Sequence, residues 1–387
     1  MKVTQLCNVC GSKNLQEIIN LPDLPLTGLY LDKQSLNGYN FNQSFLYCEN
    51  CGHGQLKNII DPEFLYDATY THRTSASQIS IKGNDFFYET LKTIMSKKKY
   101  NQILEIGCND MYLINKLEDK ASNILGIDPV WDGKKFDHSD NIVISGKYIE
   151  QLEESDFSDK PDLVISSHTF EHINNTFDSF QKIVDFASDD AIFLIEVPSL
   201  ENTILQKRFD QVFHQHLQYF SLSSASHLVS RLNCEFLGYK YNYSYWGGTF
   251  LFWFTKKRSN KNDYEPQKFD SKLIRSLYND FKNELISSKN QLMLFDENVY
   301  GFGAAQMLPV LAYHMDSNLE FMKAIIDDNS ERVGSYLPYI NPPISRVEDV
   351  DITNSTIVIT ALDSSRNLMN RLLELNPRRI FSLSSII

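Results

Sequence analysis

The stretch from residue 101 to residue 130 constrains the fold of this chain more than any other. A largely apolar run at residues 103–106 ends at Gly107, a helical pattern follows, and a second apolar run at residues 124–127 ends at Asp128. This order predicts a strand, a tight turn, a helix and a second strand that ends on an acid. An acid at that place in a βαβ unit can accept hydrogen bonds from a ribose diol, while the turn brings backbone amides to the ligand. The stretch therefore predicts a nucleoside site, and the alternative is an ordinary crossover without a ligand.

The loop of this unit contains one glycine, which restricts the kind of nucleoside. A NAD site needs two further glycines so that the backbone can approach a pyrophosphate. The segment Glu105-Ile106-Gly107 with its short polar loop resembles instead the E-x-G signature of class I S-adenosylmethionine-dependent methyltransferases. The resemblance implies a cofactor site for S-adenosylmethionine made of Glu105, Gly107, Asn109, Asp110, Asp128 and His168.

Composition excludes several classes of partner. At 387 residues the chain is longer than one ordinary core, which favours two or three domains. The formal charge of -12 argues against a nucleic-acid partner, because phosphate binding needs clustered lysines and arginines. No apolar stretch approaches the roughly 20 residues that cross a bilayer, and the N-terminus has no apolar leader. We therefore expect a cytoplasmic protein without a membrane partner.

Four of the six cysteines form two C-x-x-C pairs, Cys7 with Cys10 and Cys48 with Cys51, and each pair is followed by a glycine. Four thiolates in two such pairs suit tetrahedral zinc. The alternative is disulfide bonding, which a reducing cytosol disfavours. Because four protein ligands leave no open coordination position, the pattern predicts a structural zinc site. The metal would substitute for a core in a small N-terminal module.

Strands and helices alternate after the first βαβ unit. Apolar runs predict three more strands, at residues 142–144, 162–166 and 191–197, and a helix at residues 176–186. Such alternation indicates a parallel sheet covered on both faces, with ligands at the carboxyl ends of the strands. Two later runs, at residues 236–245 and 249–255, predict an antiparallel pair that closes this sheet.

The segment at residues 210–222 carries His214, His216 and Tyr219 and follows the fifth strand, on the side where a substrate would meet the cofactor. A lone histidine is usually a packed core residue, whereas two at spacing i, i+2 in a polar and aromatic segment favour a chemical role. A His-x-His pair can also bind a metal. Because no third ligand stands at a defined spacing, acid–base chemistry is the favoured interpretation.

A second, smaller Rossmann-like unit follows a predicted helix at residues 273–294. Residues 298–305 repeat the strand, glycine turn and helix, and the run that follows ends in Asp327. A third strand is predicted at residues 355–360. The pair Gly301 and Gly303 is a weak signal for phosphate binding, and a packing turn explains it equally well.

These motifs, in this order, resemble the sugar C-methyltransferases that act on nucleotide-linked keto-deoxysugars. The resemblance covers the C-x-x-C pairs with an intervening L-P-x-x-P, the E-I-G-x-N-D loop, the H-x-H-x-x-Y-F-S segment and a C-terminal Gly-x-Gly-Ala followed by Tyr336-Leu337-Pro338. It implies an α/β fold with a class I methyltransferase core, an N-terminal zinc-binding module and a C-terminal Rossmann-like domain for the nucleotide sugar. We expect these domains at residues 1–65, 66–258 and 259–387.

The resemblance also implies the reaction. A ketone acidifies the neighbouring C–H bond, a base removes that proton, and the enolate carbon attacks the sulfonium methyl group; histidine has a suitable pKa for the base. His216 is the implied base. The implied catalytic set is His214, Gln215, His216, Tyr70 and His72, and the implied substrate-binding set is Arg73, Tyr219, Gly301, Gly303 and Tyr336.

The sequence departs from the family pattern at three positions. Gln215 replaces the glutamate of H-E-H and cannot stabilise an imidazolium by charge, His72 replaces the second tyrosine of Y-x-Y-R-S, and Met111 replaces the glycine of N-D-G. These changes keep the cofactor prediction but leave room for an oxygen or nitrogen acceptor on a related sugar. A third interpretation, a non-catalytic binding protein, is disfavoured by the two retained histidines. The sequence leaves the sugar, the nucleotide and the oligomeric state, monomer or homodimer, open.

Overall fold

The computed structural model describes residues 2–60, 74–134, 139–245, 247–256 and 266–383. Its strands are β1 (Lys2–Val3), β2 (Leu15–Pro25), β3 (Asn40–Cys48), β4 (Gly54–Leu56), β5 (Asn58–Ile59), β6 (Tyr100–Ile106), β7 (Ala121–Ile127), β8 (Ile142–Ser145), β9 (Leu163–Ser167), β10 (Ile192–Pro198), β11 (Gln218–Tyr219), β12 (Glu235–Asn242), β13 (Thr249–Thr255), β14 (Val299–Phe302), β15 (Ile325–Ile326), β16 (Ile344–Ser345), β17 (Thr356–Ile359) and β18 (Arg379–Ser382). Its α-helices are α1 (Gln78–Ile94), α2 (Tyr112–Leu117), α3 (Thr176–Phe186), α4 (Leu200–Leu205), α5 (Leu222–Arg231), α6 (Ser271–Leu292), α7 (Leu308–His314) and α8 (Ser365–Leu375). Within these described ranges no helix is both long enough and apolar enough to span a membrane.

The chain divides into two compact units, and each is built from several segments. The first unit contains Met1–Gln16, Leu46–Asn202 and Gln215–Ser271, and the second contains Glu17–Phe45, Thr203–His214 and Lys272–Ile387. The chain thus passes from one unit to the other more than once. The domain boundaries expected after residues 65 and 258 stay a prediction.

The first unit is organised around a seven-stranded sheet in the order β12-β13-β10-β9-β6-β7-β8. Strands β6 to β10 are parallel, whereas β13 runs antiparallel to both β10 and β12. The predicted parallel sheet and its antiparallel closing pair are both confirmed. The carboxyl ends of β6, β7 and β9 therefore lie side by side, and the loops that follow them face the same edge.

Side chains that alternate along the central strands separate into two cores. On β6, Leu104 and Ile106 join the core on one face, while Ile103 joins the core on the other. Phe180 of α3 covers the first face and Phe87 of α1 covers the second. Because helices cover both faces, the central strands are largely apolar, and the polar residues that they carry, such as Glu105 and Glu196, are buried.

The apolar pattern predicts a helix at residues 86–95, and the observed helix α1 begins eight residues earlier, at Gln78. The Ser77 side chain accepts a hydrogen bond from the Ser80 amide and caps the helix. The first turns carry polar residues, so apolar periodicity could not show them. Helix α3 has the predicted bounds, Thr176–Phe186.

In the first unit, the segment that follows His216 pairs with the strand that follows the second cysteine pair. Strand β11 pairs antiparallel with β4, with Gln218 opposite Gln55 and Tyr219 opposite Gly54. The Leu56 amide also donates to the Leu217 carbonyl at 2.9 Å. The backbone next to His216 is thereby fixed by strand pairing.

The second unit contains a five-stranded parallel sheet in the order β16-β15-β14-β17-β18. This arrangement confirms the predicted second Rossmann-like sheet, although β15 is only two residues long. Residues 17–45 belong to this unit, and Leu31 forms a backbone bridge with Tyr336. That pairing joins segments far apart in sequence, so no local pattern could have predicted it.

Candidate active site and metal centre

Four cysteine sulfurs of the first unit converge on one point. Cys7 Sγ lies 3.6 Å from Cys51 Sγ, and Cys10 Sγ lies 3.6 Å from Cys48 Sγ. All four ligand atoms lie within 4.8 Å of one another. Zinc–sulfur bonds of about 2.3 Å place tetrahedral sulfurs about 3.8 Å apart. The four cysteines, which are not in disulfides, therefore fit one zinc ion with no coordination position left over.

The turns after each cysteine pair present the thiols to this point. The Gly11 amide donates to the Cys7 carbonyl at 2.8 Å, and both glycines that follow the pairs have left-handed φ. Hydrogen bonds with Cys48 and the other thiols lower the pKa of Cys10, whereas hydrogen bonds with Cys10 and the others raise the pKa of Cys51. The thiols therefore cannot all ionise beside one another unless a cation compensates their charge, which is the role zinc would have.

The loop after β6 depends on Gly107. Its φ is +77°, and a Cβ at this position would lie 1.9 Å from Thr169 Oγ1. Thr169 stands in the loop after β9, and its hydroxyl donates to the Ile106 carbonyl at 3.2 Å. Because residue 107 has no side chain, the loop after β6 can contact the loop after the neighbouring strand β9.

Asp128 at the end of β7 holds this loop in place. Its carboxylate accepts hydrogen bonds from the Asn109 amide at 2.9 Å and from the Val130 amide at 3.0 Å. The Trp131 indole donates to the Asn109 carbonyl at 2.6 Å. These two amides orient the Asp128 carboxylate at the end of β7, beside the loop that follows β6.

Two further acids, Glu105 and Asp110, lie before and after Gly107 in the chain. Glu105 is buried, and burial together with the charge of Asp128 raises its pKa well above the usual range. Asp110 accepts hydrogen bonds from the Ser75 amide at 2.8 Å and from the Ser75 hydroxyl at 2.6 Å. Asp110 thus ties the chain that enters α1 to the loop, a structural contact that the sequence did not suggest.

Glu171, His172 and His216 form a cluster that no single sequence motif contains. Their carboxylate oxygen and ring nitrogens lie within 4.8 Å of one another, and the two imidazole rings are 5.1 Å apart, centre to centre. His172 Nδ1 donates to the Gln215 carbonyl at 2.8 Å, so in the neutral ring Nε2 is the acceptor. The Leu217 amide donates to the Glu171 carbonyl at 2.7 Å. The turn after β9 is therefore bound to the His-Gln-His segment on both sides of His216.

The charges of this cluster are coupled. Burial would raise the pKa of Glu171, but its hydrogen bond with His168 and the charges of three histidines lower that pKa to about 2. Burial lowers the pKa of His216 to about 3, with a further lowering from His172 and an opposing effect from Glu171. The resting pair is thus an ionised Glu171 and a neutral His216. The sequence suggested a near-neutral pKa for His216, and burial accounts for the difference.

His168 contacts the acid of this cluster. It adopts a left-handed φ of 52°, and its Nδ1 donates to Glu171 at 3.1 Å. Burial alone would lower the pKa of His168, but the hydrogen bond and the charges of Glu171 and Glu196 raise it. The structure therefore gives His168 a contact with an acid of the cluster, and its predicted contact with the cofactor stays a prediction.

The other predicted residues lie in different surroundings. Tyr219 is on β11, with its ring centre 6.3 Å from that of His216. His214 belongs to the second unit, where its ring contacts the Leu24 carbonyl at 3.0 Å and the Gln43 amide at 3.4 Å. Tyr70, His72 and Arg73 fall outside the described residues.

The predicted glycines of the second unit have different local roles. At Gly301 a Cβ would lie 2.7 Å from Ile325 Cδ1, which is a packing constraint inside the sheet. At Gly303, with φ of +99°, a Cβ would lie 2.5 Å from Ala361 Cβ in the next loop. Tyr336 contributes its backbone to the bridge with Leu31. Substrate contacts of all three residues stay predictions.

Sequence reasoning missed Glu171 and His172. Both follow β9 directly, in the segment His168-Thr169-Phe170-Glu171-His172. An acid flanked by two histidines immediately after a buried parallel strand was the available signal, because such loops lie at the ligand-binding edge.

Comparisons with known proteins agree with this geometry. Residues 84–237 match a family model described as "Methyltransferase domain", and residues 7–66 match one described as "Putative zinc binding domain". A C-methyltransferase, NovU of Streptomyces niveus, is 24% identical over 223 residues, which are 56% of this chain and 53% of the relative. The match thus spans about half the length of that curated relative.

Solved methyltransferase structures also resemble part of the chain. The N-methyltransferase NodS of Bradyrhizobium japonicum, in complex with S-adenosyl-L-homocysteine, is 12% identical with a TM-score of 0.37, covering 50% of this chain and 94% of NodS. An S-adenosylmethionine-dependent methyltransferase of Mesorhizobium loti is 11% identical with a TM-score of 0.35, covering 43% and 96%. With the family model and the observed sheet, the assignment of the central region is plain: residues 84–237 are a class I S-adenosylmethionine-dependent methyltransferase domain, preceded by a four-cysteine segment of the zinc-binding family.

Proposed function

We propose that this protein transfers a methyl group from S-adenosylmethionine to a carbon of a nucleotide-linked keto-deoxysugar. The observation that carries the proposal is the cluster of Glu171, His172 and His216 next to the cofactor loop of the methyltransferase domain. The cluster and the cofactor loop are adjacent because Thr169, which is two residues before Glu171, contacts Gly107.

The residues around the loop after β6 suit a nucleoside without phosphates. Asp128 would receive the ribose hydroxyls, and the backbone of Gly107 and Asn109 would line the ligand. Glu105 lies beneath this loop, and its Oε2 has no hydrogen-bond partner among the described residues. When bound, the cofactor supplies an electrophilic methyl group on a sulfonium.

His216 acts as the general base. Its burial keeps the ring neutral, so it can accept a proton from the carbon next to the sugar ketone. The imidazolium that forms then lies beside the ionised Glu171, which stabilises it by charge. Glu171 thereby provides from the loop after β9 the charge that Gln215 cannot provide within the His-Gln-His segment.

Other residues orient this base. The Gln215 carbonyl accepts a hydrogen bond from His172 Nδ1 and thereby fixes the tautomer of His172, whose ring lies beside that of His216. Tyr219 lies on the strand that continues from the base and would line the sugar pocket. His214, Tyr70, His72 and Arg73 remain proposed members of the site from the family resemblance, as do Gly301, Gly303 and Tyr336 for the nucleotide.

One observation favours a second candidate, methylation of a sugar oxygen or nitrogen. Burial lowers the pKa of His216 to about 3, which makes the resting residue a weak base. Removing a proton from a polarised amine or hydroxyl group requires a weaker base than removing one from a C–H bond. The relative named as a C-methyltransferase supports the carbon acceptor, which is why we place that candidate first.

Incubation with methyl-labelled S-adenosylmethionine and a panel of keto, hydroxy and amino nucleotide sugars tests both candidates. We expect label in a keto-deoxysugar product, joined to carbon as resolved by nuclear magnetic resonance. Label on oxygen or nitrogen selects the second candidate. No transfer to any member of the panel, with the cofactor bound, would contradict the proposed substrate class.

A further inference from the structure

The cluster of Glu171, His172 and His216 contains the ligand groups of a metal site as well as those of an acid–base pair. One carboxylate oxygen and two imidazole nitrogens, one from each residue, all lie within 4.8 Å of one another. Two histidines and one carboxylate form a ligand set that binds zinc and other divalent first-row metals in proteins. None of the three residues belongs to the four-cysteine site, so a metal ion at this cluster would be a second ion.

One distance within the cluster is close to the distances between the ligands of a bound ion. His172 Nε2 lies 3.9 Å from the Glu171 carboxylate oxygen Oε1. Metal–nitrogen and metal–oxygen bonds of about 2.0 to 2.2 Å place tetrahedral ligand atoms about 3.4 Å apart. The imidazole and the carboxylate therefore need to approach each other by only about 0.5 Å to bind the same ion.

Hydrogen bonds from outside the cluster orient two of these ligands. His172 Nδ1 donates to the Gln215 carbonyl at 2.8 Å, so in the neutral ring Nε2 carries no proton and can bind a metal. His168 Nδ1 donates to Glu171 Oε1 at 3.1 Å and orients the carboxylate. Metal-binding histidines in proteins commonly donate their other ring nitrogen to a backbone carbonyl, and metal-binding carboxylates are themselves hydrogen-bonded. The cluster therefore has the outer hydrogen bonds that are typical of a metal site.

The second oxygen of the Glu171 carboxylate, Oε2, is buried and has no hydrogen-bond partner among the described residues. A buried carboxylate is costly unless positive charge or hydrogen bonds compensate it. A cation bound between this carboxylate and the two imidazole rings supplies such a charge. The His172 side chain is 29% exposed, so the cluster is open to solvent at one of its ligands.

We propose that Glu171, His172 and His216 bind one divalent transition-metal ion, of the class of Zn²⁺ and Co²⁺, in a second metal site of the methyltransferase domain. Three protein ligands leave at least one coordination position for water. A neutral imidazole has one basic lone pair, so an ion bound to His216 takes the lone pair with which the ring would accept a proton. The bound ion therefore blocks proton removal by His216, and only this consequence rests on the proposed function.

Titration of the full chain with Co²⁺ tests the proposal without any turnover, after zinc has filled the four-cysteine site and loosely bound zinc has been removed by dialysis. Co²⁺ bound by nitrogen and oxygen gives weak d–d absorption bands, whereas Co²⁺ bound by thiolates also gives intense charge-transfer bands. We expect about one Co²⁺ ion per chain in addition to the zinc, with d–d bands alone. No added Co²⁺, or Co²⁺ that only displaces zinc from the cysteines, would overturn the proposal.

Substitution of the ligands shows whether the ion occupies this cluster. Glu171→Gln and His216→Asn should each weaken Co²⁺ binding by more than about 10-fold, because loss of an outer partner alone costs roughly 10- to 100-fold. His172→Asn changes the partly exposed ligand, so it decides the question if either of the other variants fails to fold. His227→Asn, at an exposed histidine of α5, is the matched control and should bind Co²⁺ normally. Unchanged affinity in the ligand variants would overturn the proposal.

Chemical modification of histidines gives an independent readout. Diethyl pyrocarbonate acylates neutral imidazole rings, and mass spectrometry of peptides identifies the modified residues. We expect Co²⁺ to protect His172, because its Nε2 is then bound to the ion, while His227 is modified equally with and without the ion. Equal modification of His172 in both conditions would contradict the site.

The methyl-transfer assay tests the consequence for His216. The rate should fall in proportion to the Co²⁺ bound, and a rate that is unchanged at saturating Co²⁺ would contradict competition between the ion and the proton. The titration and the modification do not use methyl transfer. Absent Co²⁺ binding therefore leaves the proposed activity standing, and a failed transfer assay leaves the metal site standing.

Discussion

The Glu171 carboxylate lies within 4.8 Å of the His216 ring nitrogen, although the two residues come from separate loops of the methyltransferase domain. Glu171 is fully buried and ionised, and His216 is neutral. A proton transferred to His216 creates an ion pair in a setting of low dielectric, where opposite charges attract strongly. If His216 is the general base, as we propose, this relationship would stabilise the protonated ring during the reaction.

Replacing Glu171 by glutamine should lower turnover by roughly 10- to 1,000-fold, because the imidazolium loses its charge partner. The Michaelis constant for S-adenosylmethionine should change little, since the residue is proposed to act on the proton and not on the cofactor. Steady-state kinetics measure both effects. Glu196→Gln is a matched control, because that buried carboxylate is bound by Ser167 and Thr249. Equal losses in the two variants would contradict a specific role for Glu171.

The protein should contain about one zinc ion per chain, bound by Cys7, Cys10, Cys48 and Cys51. Cys48→Ser should lower the zinc content and the thermal stability together, because metal binding contributes to folding of this small module. Elemental analysis and thermal denaturation measure the two quantities. Cys234→Ser replaces a buried thiol outside the cluster and should keep its zinc. Full zinc content in Cys48→Ser would be incompatible with the four-cysteine site.

Asp128→Ala should weaken S-adenosylmethionine binding by about 1.5 to 3 kcal/mol, since charge-assisted hydrogen bonds to the ribose are lost. Calorimetry with the cofactor measures this change. Asp119→Ala, at a surface acid that pairs with Lys120, serves as the control and should bind normally. Unchanged affinity in Asp128→Ala, or tight binding of NAD by the wild type, would count against the cofactor site.

Stability should fall as the pH drops from about 6.5 toward 4. Burial lowers the pKa of His214 to about 4 and that of His314 to about 3, so both stay neutral in the folded chain over this range. The unfolded chain takes up these protons near pH 6.5, which favours unfolding by roughly 1.4 kcal/mol per pH unit per histidine. Urea denaturation between pH 7 and pH 5 measures the slope. His314→Gln should reduce it, and an unchanged slope would exclude His314 as a contributor.

The parts of the molecule that local patterns encode were predictable. The run from residue 101 to Asp128, the spacing of the cysteines and the fifth strand with its closing pair each have a signature within a few residues. The parallel sheet follows from the alternation of strands and helices. These predictions agree with the observed strand order.

The features that could not be predicted from the sequence depend on contacts between distant segments. The placement of Glu171 beside His216 requires the turn after β9 to meet the segment before β11, and the bond from the Leu217 amide to Glu171 that joins them has no sequence signature. The low pKa of His216 is likewise a consequence of tertiary burial. The inclusion of residues 17–45 in the second unit depends on the pairing of Leu31 with Tyr336, far apart in the chain.

Exchange of the sugar proton with deuterium oxide tests the central claim, that His216 removes a proton from carbon, most directly. The wild type is incubated with a nucleotide-linked keto-deoxysugar and S-adenosylhomocysteine, which permits enolisation but no methyl transfer. We expect deuterium to enter next to the ketone in the wild type and in His72→Phe. In His216→Asn the rate should fall by roughly 100- to 10,000-fold with cofactor affinity unchanged. Exchange at the wild-type rate in His216→Asn, or its loss only in His72→Phe, would contradict the assignment of His216 as the base.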